Sequence, residues 1–255
     1  HGNLGNAFEA SGRYEEAAKA YRRALILDPG DTETHNNLGN VLHRLGQAED
    51  AEASYRRALA IEPEHPGALS NLGNALQVLG RVDEAVASFR RALMIKPDFA
   101  LALGNLGNVF HILGKLAEAE DTMRRAIEAE PGFAMAHGNL GHVLTKQGKL
   151  EAAVAAYRKA LELKPDYAEA HYNLGHTLTR QGKLEAAVTS FERAIRSRAD
   201  YAEAHYSLAH VLDAQGKFDE AAVGFHRALD LDPNSAEIYN GLGNVLVKLG
   251  KLQEA

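Results

Sequence analysis

The sequence predicts an all-α solenoid built from a 34-residue helix-turn-helix unit, and three observations carry that expectation. The tetrapeptide Asn-Leu-Gly-Asn begins at Asn3 and returns at Asn37, Asn71 and Asn105, then as Asn-Leu-Gly-His at Asn139 and Asn173. A glycine stands nine residues after that phase in every unit, at Gly12, Gly46, Gly80, Gly114, Gly148, Gly182, Gly216 and Gly250. Between these markers the apolar residues fall at helical spacing, as in Leu38, Val41, Leu42 and Leu45. A strict period of this length describes units that cover one another's apolar faces and present a surface for binding, without a buried catalytic pocket.

The unit can be taken element by element. The first helix carries Gly5, Gly39, Gly73, Gly107, Gly141, Gly175 and Gly243 in its interior, with Ala209 as the one replacement. Glycine costs roughly 0.8–1.0 kcal/mol there relative to alanine, so a partner helix is expected to press against the backbone, and enlarging Gly107 or Gly141 is expected to damage stability. The mid-unit glycine closes this helix as a left-handed residue. The second helix opens on an acidic turn, as in Glu15-Glu16, Glu49-Asp50 and Asp83-Glu84, which suits the positive end of the helix dipole. Two alanine rows follow, one running from Ala17 and Ala51 to Ala255, the other from Ala24 and Ala58 to Ala228. Between them sits a large residue, Tyr21, Tyr55, Phe89, Met123, Tyr157, Phe191 or Phe225, sized to fill the space between helices. Pro29, Pro63, Pro97, Pro131, Pro165 and Pro233 then stop the second helix, with Ala199 breaking the row.

On this register the chain is one solenoid domain over residues 1–255, of about seven and a half units. The boundaries are 1–31 (partial), 32–65, 66–99, 100–133, 134–167, 168–201, 202–235 and 236–255 (partial). Starting inside a first helix and stopping inside a second, it is expected to be part of a longer protein, with possible flanking domains and with uncapped ends open to self-association.

A 34-residue unit with Leu-Gly, a mid-unit Gly, two small rows, an aromatic between them and a terminal Pro resembles the tetratricopeptide repeat along the whole chain. The family's frequent early Trp or Tyr is here mostly His, as at His35, His137, His171 and His205. With Asn preceding Leu-Gly, this version is similar to the superhelical repeats of O-linked N-acetylglucosamine transferase and its bacterial relatives. The resemblance implies a right-handed superhelix with first helices on the concave side, and an asparagine ladder holding the backbone of an extended polypeptide. By motif match the ladder is Asn3, Asn37, Asn71, Asn105, Asn139 and Asn173, from which Ser207 and Gly241 depart.

The asparagines can be weighed on their own chemistry. Asn is a poor helix-interior residue because its amide competes for backbone hydrogen bonds, so six at one phase need a use. A carboxamide matches a peptide unit and can hold backbone without reading sequence. Helices packed about 8–10 Å apart would offer one Asn to roughly every third residue of an extended chain. The other use is a bond to the neighbouring unit that fixes stacking, and the two are compatible. Three residues on, Asn6, Asn40, Asn74, Asn108 and Asn244 share a second row with His142, His176 and His210, expected to face the same groove. One position before the ladder, Ser70, Gly104 and Gly138 leave the middle open, whereas Tyr172 and Tyr206 either offer aromatic platforms to a ligand or are partly buried against adjacent units. A carboxylate clamp would need Lys at that position, and none is there.

The remaining features exclude more than they assign. Twelve histidines invite a metal, but the pairs His137/His142, His171/His176 and His205/His210 are five residues apart, about 140° around a helix. A net charge of −6 and no evident basic stripe argue against a nucleic-acid binder. No apolar run spans a membrane, and the absence of cysteine fits a cytoplasmic protein. No nucleophile-base pair, metal set or phosphate loop appears, so neither an enzyme within these residues nor a cofactor is expected. The expected function is a protein-protein interaction module for extended or flexible polypeptides. A substrate-recruiting arm of a larger glycosyltransferase-like enzyme and a self-assembling scaffold are the alternatives.

Overall fold

The computed structural model describes residues 2–251, and the described residues form fifteen α-helices. In the first compact unit, His1–Pro131, these are α1 (Gly2–Ala10), α2 (Tyr14–Leu27), α3 (Thr32–Arg44), α4 (Ala48–Ile61), α5 (Pro66–Val78), α6 (Val82–Ile95), α7 (Ala100–Ile112) and α8 (Leu116–Ala129). In the second, Gly132–Ala255, they are α9 (Ala134–Lys146), α10 (Leu150–Leu163), α11 (Ala168–Arg180), α12 (Leu184–Ser197), α13 (Ala202–Ala214), α14 (Phe218–Leu231) and α15 (Ala236–Lys248). Ala255, last of the first alanine row, lies outside the described residues.

Each mid-repeat glycine turns the chain as its phase requires. All eight lie at φ between 72° and 77°, a region open to glycine because it has no Cβ. At Gly46 the glycine N–H donates to the His43 carbonyl (3.0 Å) and the Gln47 N–H to the Leu42 carbonyl (2.9 Å), the paired bonds of a Schellman motif. The same two bonds recur at every one of these turns, down to Lys251 with Leu246 (2.9 Å). The far end of the hairpin is less uniform. Helix α12 stops at Ser197 in the same register as its counterparts although Ala199 replaces proline there, so proline reinforces that stop without creating it.

The interior glycines make room for the partner helix, whose large side chain rests on their backbone. A Cβ on Gly39 would lie 2.5 Å from the Tyr55 ring, on Gly73 2.7 Å from Phe89, and on Gly175 2.7 Å from Phe191. The large residue of each second helix thus lies on the bare backbone of its own first helix, and buried ring area offsets the helix cost of glycine. In the seventh repeat the small residues trade places. Ala209 replaces the glycine, and Gly224 stands on the facing helix where a Cβ would come within 3.0 Å of the Ala209 Cβ.

Within each unit the first helices touch one another as well as their hairpin partners: α3 with α5 and α5 with α7, then α9 with α11, α11 with α13 and α13 with α15. Second helices make comparable contact only with first helices. The row of first helices is therefore the inner side of each unit's curve, and the ladder phase belongs to it.

Candidate functional site

In the first unit the ladder residues Asn3, Asn37, Asn71 and Asn105 fall on α1, α3, α5 and α7, with Asn40, Asn74 and Asn108 one turn along. Asn3 is exposed and the other six are half-buried. The fold brings three of them together. Asn40, Asn71 and Asn74 line a polar cavity of about 380 Å³ with Glu9, His43, Arg44 and Tyr55.

The amides there divide their capacity between structure and solvent. The Tyr55 hydroxyl donates to Asn40 Oδ1 (2.9 Å), as Tyr21 does to Asn6 Oδ1 (2.6 Å). Burial raises the Tyr55 pKa, so the phenol remains a donor at neutral pH. Glu9 Oε2 lies 2.9 Å from the same Tyr21 hydroxyl and shares its one proton with Asn6. Asn71 Nδ2 donates to Asn36 Oδ1 across the repeat boundary (3.0 Å), which leaves its own oxygen free to accept. One repeat on, the corresponding pair is Asn105 and Ser70. Serine is too short to repeat the bond, and Asn105 Nδ2 and Ser70 Oγ are both buried without partners. His43 Nδ1, at the edge of the cavity, is another buried atom without one.

In the second unit, Asn139 and Asn173 lie half-buried on α9 and α11, and neither amide has a side-chain partner among the described residues. The open middle expected from Ser70 and Gly138 is filled. Ser70 is fully buried, and the Tyr167 ring comes within 3.1 Å of where a Cβ on Gly138 would be.

Tyr172 and Tyr206 do not stand as free platforms. Tyr172 meets His176 edge-on at 4.6 Å between centroids, and both pack on Phe191, while Tyr201 covers Tyr172 at 4.9 Å. Tyr206, His210 and Phe225 repeat the triad at 4.5, 5.1 and 5.9 Å. Among the described residues no aromatic stands over Tyr206 as Tyr201 does over Tyr172, and the corresponding position is Ser235. His176 and His210 keep exposed surface, yet burial against these rings lowers the pKa of both. Ser207, which departs from the ladder, bonds His176 Nε2 at 3.2 Å. Gly241 departs for a steric reason, since a Cβ there would lie 2.6 Å from the Phe225 ring. His142 lies on α9, half-buried, with an interaction of its own.

The early histidines have a common structural task. Nε2 of His35, His171 and His205 lies 3.0, 2.9 and 3.2 Å from the carbonyls of Pro29, Pro165 and Ala199. Each thereby ties a first helix to the turn that precedes it, with or without proline. Among the described residues no group of three His, Asp or Glu is placed to hold a metal ion, and no helix is long and apolar enough to cross a membrane. Sequence reasoning missed Glu9 and His43. Glu9 and His43 hold one phase, each three residues after Asn6 or Asn40 on the same helix face, and both were within reach of the helical period.

No curated protein matches the chain. Family models for the TPR repeat match residues 5–46, 141–182, 175–216 and 211–250, and models for the tetratricopeptide repeat match 30–98 and 70–134. Among solved structures, the APC/C hetero-tetramer Cut9-Hcn1 is similar at TM-score 0.83 and 18% identity over 95% of this chain and 48% of that one, so this chain spans about half its length. PilW, a type IV pilus biogenesis factor, is similar at 0.76 and 26% identity over 83% of this chain and 98% of its own. YrrB, a TPR protein with an unusual peptide-binding site, is similar at 0.58 and 23% identity, covering 73% and 96%. Repeat by repeat, in period, glycine turns and hairpin packing, the chain belongs to the tetratricopeptide repeat family.

Proposed function

We propose that this protein-interaction module holds extended or flexible polypeptide segments along its first helices, through the asparagine rows. The observation that carries this reading is the cavity where Asn40, Asn71 and Asn74 converge on Arg44 and His43. It contains amide groups whose capacity exceeds the bonds the protein makes with them, beside both a cation and an acid. Amides of this kind suit peptide backbone of any sequence, with selectivity left to the charged neighbours. The peptide-binding site named for YrrB lends support at the level of the fold. The narrower likeness to the transferase superhelix rests on the Asn-Leu-Gly rows, and recruitment of substrates to a glycosyltransferase-like domain elsewhere in a longer chain is its functional form.

The test compares proteins captured from a lysate on the wild-type chain and on the fourfold variant Asn71→Ala, Asn105→Ala, Asn139→Ala, Asn173→Ala, with folding checked by circular dichroism. Partners lost from a folded variant support the reading. Equal recovery overturns it.

A further inference from the structure

A second surface lies on the opposite side of the first unit. Between α2 and α4 runs a groove of about 640 Å³ floored by Leu25, Ile26, Leu38 and Leu42. Between α6 and α8 runs another of about 730 Å³ floored by Leu93, Met94, Leu106 and Phe110. The two correspond position by position at a separation of two repeats. Ile26 and Met94 occupy the same place in each and are 77% and 82% exposed, the most open large apolar side chains of their helices.

Both grooves are rimmed by an arginine from each wall, Arg22 with Arg57 and Arg90 with Arg125. None of these four makes an ion pair or hydrogen bond among the described residues. The intervening groove, between α4 and α6, is different. There Arg81 bridges to Glu52 (2.8 Å) and Glu84 (2.7 Å), and Arg56 to Glu52 (2.8 Å) and Glu84 (3.5 Å), so its cations are already matched across the gap. Of the two arginines at the corresponding phases there, Arg56 is ion-paired while Arg91 makes only a 3.4 Å bond to the Pro63 carbonyl, so of these three only the flanking grooves keep both guanidinium groups uncommitted in a chain whose net charge is −6. These arginines belong to an Arg-Arg pair that recurs in successive second helices, Arg22-Arg23, Arg56-Arg57, Arg90-Arg91 and Arg124-Arg125, of which Arg56 and Arg124 are neutralised by Glu52 and Glu120 on their own helices.

The α2/α4 groove has one further open group. His35 is 5% exposed on its floor, with Nε2 committed to the Pro29 carbonyl. Its other ring nitrogen, Nδ1, is buried without a partner.

We propose that these outer grooves are docking sites for acidic peptide segments, in which a bulky apolar residue flanked by carboxylates enters the floor while the carboxylates meet the paired arginines. Guanidinium groups bind carboxylates in bidentate geometry, and an apolar strip between them rewards a ligand that supplies both features. A bare polyanion would leave the floor wet. The α2/α4 groove is the stronger of the two, because the α6/α8 groove places Glu118 and Asp121 on its own rim where the first has Asp50 and Ala53.

The test is a fluorescence-anisotropy titration of the full chain with a fluorescein-labelled synthetic peptide carrying two leucines flanked by glutamates. The comparison probes are the same peptide with lysine for glutamate, a leucine-free glutamate peptide, and a single-stranded oligothymidylate. The Leu-Glu peptide should bind saturably and weaken with added salt. Arg22→Glu with Arg57→Glu should lose at least tenfold in affinity, Arg90→Glu with Arg125→Glu should lose less, and the charge-matched control Lys183→Glu with Lys217→Glu, outside both grooves, should lose little; Asn71→Ala with Asn74→Ala reports any share of the binding held on the inner face. The milder Arg22→Gln with Arg57→Gln gives a partial loss if charge reversal disturbs folding. Absence of saturable binding overturns the proposal, as does equal binding of the lysine peptide. Loss only in the asparagine variant would move the peptide to the inner face and support the reading above instead. Preferential, arginine-dependent binding of the oligonucleotide would replace the peptide with nucleic acid.

Discussion

Replacing Gly141 by alanine separates two opposing effects that the structure sizes. Alanine favours the helix by roughly 0.8–1.0 kcal/mol. Against that, the new Cβ would stand 2.7, 2.8 and 2.9 Å from three carbons of the Tyr157 ring. That ring is 1% exposed and has nowhere to retreat, and overpacking of this kind costs about 1–3 kcal/mol. The two combine to a net loss of about 0–2 kcal/mol, and contacts under 3 Å with a rigid buried ring put it in the upper half of that range, about 1–2 kcal/mol. Gly107 supplies the internal control. Its Cβ would meet the Met123 methyl at 2.8 Å and its sulfur at 3.2 Å, atoms of an unbranched side chain that can swing aside. Gly107→Ala should therefore be close to neutral, which amends the expectation that both enlargements are damaging. Urea denaturation followed by circular dichroism measures both, with the slope checked for constancy because repeat arrays can lose two-state behaviour. Adding Tyr157→Met to Gly141→Ala should restore much of the loss. An unchanged or raised midpoint for Gly141→Ala alone would refute the ring-on-glycine account.

Three further outcomes follow from other contacts. Gly46→Ala should destabilise by roughly 1–2 kcal/mol through the left-handed backbone alone, because φ is 75° and nothing lies within 4 Å of the new Cβ; Gly46→Asn should lose less in the same denaturation assay. Tyr55→Phe removes the hydroxyl bond to Asn40 and should cost about 0.5–1.5 kcal/mol, whereas Phe89→Tyr, which gives Asn74 the donor it lacks, should recover part of such a bond. Burial lowers the pKa of His171, His176 and His210, so the folded chain binds fewer protons than the unfolded one just below the ordinary histidine value. Their contribution to stability is complete above about pH 6.5 and is lost as pH falls from there through the lowered folded values; melting temperatures should drop as pH is taken below about 6.5, less so in His176→Gln, and a rise on acidification would contradict the assignment.

What could be read from the sequence was whatever depends on one residue's own backbone needs. The φ of the Gly12 row, the acidic starts of the second helices and the small residues of the Ala17 row all follow from local chemistry repeated in phase. Readings that required two side chains to meet were harder. Asn40 and Asn71 are at one periodicity with their neighbours, yet one bonds a tyrosine hydroxyl of its own hairpin and the other an amide of the preceding repeat. Only the coincidence of Asn36 with Asn71 makes the second bond, and serine at 70 abolishes it one repeat later. Whether Tyr172 is a platform or partly buried stayed open because its cover, Tyr201, stands at the joint before α13, at a phase held by Phe99, Phe133 and Tyr167 in some repeats and by Asp31, His65 or Ser235 in others. The arginine pairs were overlooked because charge was counted over the chain and not by phase.

The exchange at Ala209 and Gly224 limits how freely such repeats can be shuffled. A hairpin moved whole carries its complementary surfaces with it, so duplication of a complete unit leaves packing intact. Crossing over inside a hairpin is another matter. Joining the first helix of the seventh repeat to the second helix of the sixth would set the Ala209 Cβ against the Ser190 side chain in place of Gly224, where even a Cβ comes within 3.0 Å. The helical hairpin, cut at its Pro29-phase joints and never at its glycine turns, is thus the smallest heritable cassette this array tolerates, and recombinant libraries built from it should respect the same seams.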